Sequence, residues 1–129
     1  MASTFRDLRV WQTGMDLVEL VYNLTRMFPK PEGDVLALQM REAATAIPSR
    51  IAAGQMKASR EENVHSVSLA QASRATLQTH LELAGRLRYL DAEQVSQTLE
   101  RVETLGRWLQ SLRSALITRE SSRSAPSPV

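Results

Sequence analysis

Apolar residues recur every three or four positions along most of this chain, the spacing that places them on one face of a helix. Leu8, Trp11, Met15, Val18 and Tyr22 form one stripe, and Leu17, Leu20, Val21, Leu24 and Phe28 form a second beside it. Together they predict a first helix from about Leu8 to Phe28, with Asp7 as its N-cap and Pro29-Lys30-Pro31 as its end. The combined apolar arc is wider than a single core face needs. Part of it is therefore expected to be covered by further copies of the chain.

Gly33 and Asp34 lead into a second helix, lined by Leu36, Met40, Ala43, Ile47 and Ile51. Pro48 lies inside it. An interior proline removes a donor and crowds the preceding turn, at a cost of about 3 kcal/mol unless the surroundings tolerate it. A bend is expected there, and Gly54 is expected to terminate the helix near Met56. The alanines around Pro48 allow another helix to come close. Ser59-Arg60-Glu61-Glu62 has the form of a capping box, opening a third helix that runs to about Leu90. Its inward stripe is Val64, Val67, Leu77, Leu81 and Ala84. Asp91 is placed to cap a fourth helix, with Glu93 in its first turn. In that helix Val95, Val102, Leu109 and Leu116 recur at heptad spacing, with Leu99, Leu105 and Leu112 between them, which makes a bundle seam. The pattern predicts an all-α, up-down-up-down four-helix bundle over residues 1–118, assembling into a ring-like homo-oligomer. A polar, proline-rich tail over 119–129 is expected to be disordered.

Composition narrows the chemistry. A chain of 129 residues with 43% apolar content suits one domain with one core. Aromatics are few, so the core must rest on Leu, Val, Ile, Ala and Met, a helical set. The absence of cysteine excludes disulfides and thiolate zinc sites. No apolar run is long enough to span a membrane, and Met1 to Asp7 lacks the apolar stretch of a secretory signal, so a cytoplasmic location is expected. No cofactor is expected. The net charge is only +2, but of the 16 cationic residues all except Lys30 and Lys57 are arginine. Arginine grips phosphate or carboxylate in a planar fork. A genome rich in arginine codons produces the same bias.

Several local patterns resemble one family. They are Phe5-Arg6-Asp7-Leu8-Arg9-Val10-Trp11-Gln12, the Phe28-Pro29 helix end, Gln39-Met40-Arg41 followed by Ala43-Ala44, and Ile47-Pro48-Ser49 with Ile51, Ala52 and Gly54. Ala70, Ser73, Leu77 and Leu81 continue the match. The chain is similar, over about residues 5–117, to four-helix-bundle proteins encoded by intervening sequences in 23S ribosomal RNA genes. It also resembles the related accessory variability determinants of diversity-generating retroelements. The resemblance implies a homopentameric barrel and, for the retroelement branch, binding to a reverse transcriptase and to nucleic acid. The chain departs from the family's pattern at Arg50, where asparagine is usual, and at Ala53, where glutamate is usual. Glu42 stands in place of a second arginine, Ala72 in place of glycine, and Thr76 in place of glutamate.

The candidate contacts to RNA or DNA are Arg41, Arg50, Lys57, Arg60 and Arg74. Arg50 and Lys57 are seven apart and share a face if the helix continues past Pro48. Five copies in a ring would multiply each cationic patch, and phosphate contacts add by releasing counterions. The bland alternative is a solvated face of ordinary ion pairs. No aromatic-rich stacking platform is visible. Catalysis has one foothold: Arg60 precedes His65, and Arg74 precedes His80, at a spacing resembling the ribonuclease motif of HEPN domains. In such a site the histidine acts on the ribose hydroxyl and the arginine steadies the phosphate. With arginine this frequent, the match is easily fortuitous. The expected function is non-enzymatic: an oligomeric module binding nucleic acid or a protein that handles it. A ribonuclease, or a purely protein-binding bundle, is the alternative.

Overall fold

The computed structural model describes the backbone of residues 4–124 and the side chains of residues 4–118. Its elements are a 3₁₀ turn at Phe5–Asp7 followed by α1 (Arg9–Thr25), α2 (Asp34–Gln55), α3 (Arg60–Arg86) and α4 (Ala92–Ser124). Among the described residues there is no strand. Each helix packs on its neighbours in sequence, α2 on α3 most extensively and α1 on α4 least, as in an up-down-up-down four-helix bundle.

The ends differ from expectation in instructive ways. Asp7 does not cap α1. It closes a reciprocal capping box with Thr4 one turn earlier, and Leu8 occupies the N-cap of α1 without a side-chain bond. α1 stops at Thr25, short of Phe28. Ser59 accepts from the Glu62 amide at 3.1 Å, which is one half of the expected capping box; the return bond from the Ser59 amide to the Glu62 side chain is not formed. α3 ends at Arg86, because Arg88 turns to the left-handed φ of 63° and Tyr89 N–H bonds back to the Ala84 carbonyl. Asp91 caps α4 by accepting from Gln94 N–H at 2.8 Å, and Gln94 returns a bond to the Asp91 amide at 3.0 Å. α4 continues as helix to Ser124, past the boundary expected at 118. The remainder of the expected disordered tail, 125–129, lies outside the described residues.

The core is aliphatic. Leu17, Val21, Met40, Ile47, Ile51, Val67, Leu77, Leu81, Val102, Leu105 and Leu109 are all but inaccessible. The buried stripe of α1 is Val10, Gly14, Leu17, Val21 and Thr25. The stripe of Leu8, Trp11, Met15, Val18 and Tyr22 is therefore not the core face. Trp11 and Val18 are half-buried, while Met15 and Tyr22 are exposed.

Small residues set the helix spacing. Pro48 does not interrupt α2. It is buried, and its ring faces Gly14 of α1. A Cβ on Gly14 would meet the Pro48 ring at 3.5 Å, an ordinary contact. Gly14→Ala is therefore expected to stabilise the protein by up to about 1 kcal/mol through helix propensity alone. A lowered urea midpoint for Gly14→Ala would show that the groove has less room than this distance implies. Gly54 is not a terminator. It sits inside α2 with ordinary helical φ, where a Cβ would lie 2.5 Å from Asn63 Oδ1 and 2.8 Å from Ser66 Cβ of α3. Its role is close approach between the two helices.

Candidate nucleic-acid interface

α2 and α3 are joined by a tight corner, where Arg50, Lys57 and Arg60 lie. Continuation of α2 through Pro48 puts Arg50 and Lys57 on one shoulder, where they line a groove of about 600 Å³ with Ser59, Glu61, Glu62 and His65. Lys57 and Ser59 also line a second groove of about 330 Å³, on the other side of the corner, with Arg60, Asn63 and Leu116. The first groove mixes cations with two carboxylates; the second holds Lys57 and Arg60 and, among the described residues, no acid. The N-terminus of α3 opens into the same corner. Its dipole favours negative charge, although Glu61 and Glu62 already occupy its first turn. The Arg60 Nε is buried without a partner, as is Asn63 Oδ1, which lies against Gly54.

The structure does not bring all five sequence candidates together. Arg50, Lys57 and Arg60 meet at the corner. Arg41 lies at the far end of α2, where its Nε donates to Thr25 Oγ1 at 2.8 Å and its guanidinium stacks over Tyr22 at 4.8 Å. Arg74 faces α4. It donates from Nε to Gln71 Oε1 at 2.7 Å and from Nη1 to Gln78 at 3.3 Å, and it packs where a Cβ on Gly106 would have to be. Arg74 is thus engaged in joining α3 to α4, a role its position in the sequence does not announce. Thr25 and Gln71 were not singled out by sequence, because each acts through a partner distant in the chain.

The histidines part company too. His65 is exposed in the corner groove with Arg50 and Lys57, while Arg60 lines the other groove. His80 is half-buried with Nδ1 unpartnered, and burial lowers its pKa from the ordinary 6.5. Arg74, the partner its spacing suggests, is committed to Gln71 and Gln78. The sign of the His80 effect follows directly. The folded state holds the ring neutral, whereas the unfolded chain takes up a proton below 6.5, so stability falls as pH drops through that value toward the lowered folded-state pKa. Unfolding of the wild type is expected to be eased by acid over this window more than that of His80→Gln. Parallel profiles of urea midpoint against pH would refute this.

Among the described residues no group of three or more His, Asp or Glu could hold a metal, and no helix is long and apolar enough to cross a membrane. A family model described as 23S rRNA-intervening sequence protein matches residues 6–111. No curated protein matches. Among solved structures, the chain is similar to a protein of unknown function from the S23 ribosomal protein family of Bacteroides thetaiotaomicron. The two share 19% identity over 81% of this chain and 97% of that one, with a TM-score of 0.75, a likeness of fold.

Proposed function

Since the chain belongs to the 23S rRNA-intervening sequence protein family, we propose that it is a non-enzymatic helical module that binds RNA or DNA through the α2–α3 corner. One observation carries this proposal. Arg50 and Lys57 on one side of the α2–α3 corner, and Lys57 and Arg60 on the other, line two grooves that share Lys57 beside a helix N-terminus. Three cations on one copy bind weakly. The module works as a homo-oligomer, a pentamer by family resemblance, in which the edge is repeated and the phosphate contacts add. The exposed Met15 and Val35 support the proposed assembly, because they are apolar surface the single bundle leaves uncovered. A reverse transcriptase is the protein partner the retroelement branch suggests.

The test is electrophoretic titration of structured RNA and duplex DNA at low and moderate salt, with molecular mass measured in parallel by light scattering. Binding that weakens steeply with salt is expected, together with a mass several times that of one chain. No binding at low salt would overturn the nucleic-acid assignment, and a monomeric mass would overturn the assembly. The ribonuclease alternative has less geometry behind it, since neither histidine shares a groove with the arginine its spacing suggests.

A further inference from the structure

The opposite end of α2 carries a second pocket, of about 450 Å³, with a different construction. Three cations line it, Arg26, Lys30 and Arg41, against one carboxylate, Asp34. Arg41 is the fixed member. Its Nε is bonded to Thr25 Oγ1, whose own hydroxyl is anchored at 2.7 Å to the Val21 carbonyl inside the bundle. Tyr22 lies flat enough beneath the guanidinium to hold it from one face, 4.8 Å from the ring centre. Among the described residues the two terminal nitrogens of Arg41 carry no hydrogen bond, so a pre-oriented fork is left open. The first turn of α2 reaches the pocket at Asp34, whose amide is bonded to the Pro31 carbonyl at 3.1 Å.

A planar fork with orientation already fixed and two further cations, Lys30 and an Arg26 whose Nη1 donates to Asn23 Oδ1 at 2.6 Å, match a tetrahedral oxyanion better than a lone carboxylate. We propose that this pocket binds the phosphate of a nucleotide, with two oxygens on the Arg41 fork and Lys30 and Arg26 closing over the remainder. Tyr22 and Leu38, exposed at the rim, offer the sugar and base an apolar surface. The site does not depend on the α2–α3 corner. Arg41 and Arg50 are about two and a half helical turns apart, which puts them on opposite flanks of α2 and roughly 14 Å apart along its axis.

The experiment is an NMR titration of the full chain with inorganic phosphate and, separately, with AMP, at constant ionic strength. Saturable shifts are expected at the Arg41 Nε–H and at the Lys30 and Leu38 amides, with AMP binding more tightly than phosphate. Arg41→Gln and Arg41→Lys are each expected to weaken AMP about tenfold, because both remove the fork. Lys30→Ala, an exposed position whose loss leaves the bundle intact, is expected to weaken it severalfold. Arg50→Gln is expected to change nothing at this pocket. A uridine hexamer serves as a further arm: shifts at Arg41 identify backbone phosphates as the source, and shifts confined to AMP identify free mononucleotides. Unmoved Arg41 resonances with both small probes, or unchanged AMP affinity in Lys30→Ala and Arg41→Gln, would overturn the proposal and leave the corner assignment standing.

Discussion

Gly54→Val is expected to destabilise the protein by about 3 kcal/mol, near the upper end for overpacking a well-packed contact. The position faces Asn63 and Ser66 of α3. A Cβ there would lie 2.8 Å from Ser66 Cβ, which sits next to backbone and cannot swing away, and 2.5 Å from Asn63 Oδ1. Valine adds two methyl groups beyond that point. The two helices must then separate, and the pair they form is the most extensive in the fold. Helix propensity offsets little, since valine gains only a few tenths of a kcal/mol over glycine. Urea unfolding followed by circular dichroism measures the loss. The mechanism has its own check, because part of the strain arises from a side chain that can be removed. Gly54→Ala combined with Asn63→Ala should be less destabilised than the sum of the single changes, a coupling expected only if the two groups collide. Strict additivity would mean that α2 and α3 are not held apart by this pair.

The second large effect concerns binding. Arg50→Gln, Lys57→Gln and Arg60→Gln together are expected to weaken nucleic-acid binding about a hundredfold at low salt, equivalent to about 2.7 kcal/mol. The slope of log affinity against log salt should fall by about one for each cation lost, because each phosphate contact releases counterions. Arg74→Gln is the informative control. Its guanidinium is tied to Gln71 and Gln78 and packed on Gly106, so its loss should lower the unfolding midpoint and leave the salt slope unchanged. If Arg74→Gln instead lowers the slope as much as Lys57→Gln does, the corner is not the interface.

The helices and their order were legible because they depend on the periodicity of apolar residues and on local caps such as Ser59 and Asp91. The face of α1 was harder to read. Its buried stripe includes Gly14 and Thr25, which no hydrophobic pattern selects: the first has no side chain but lies against the Pro48 ring, and the second is polar but bonded to the Val21 carbonyl. Gly54 misled for a related reason. Glycine serves both as a left-handed helix end and as a gap for a neighbouring helix, and only the position of α3 distinguishes them. The cations show the same limit. Sequence identifies arginine as a gripper of oxygen, yet whether it grips a ligand or its own fold depends on neighbours such as Thr25, which comes beside Arg41 only on folding. Arg50, Lys57 and Arg60 could be grouped from the chain alone because a single corner joins them.

The sparse seam between α1 and α4 gives the bundle a spine and a loose cover. α1 is fastened mainly through α2, so it can swing out as a leaf while α2, α3 and α4 stay bound to one another. In the proposed assembly, exchange of that leaf between copies would join molecules, or release them, without unfolding the remaining three helices.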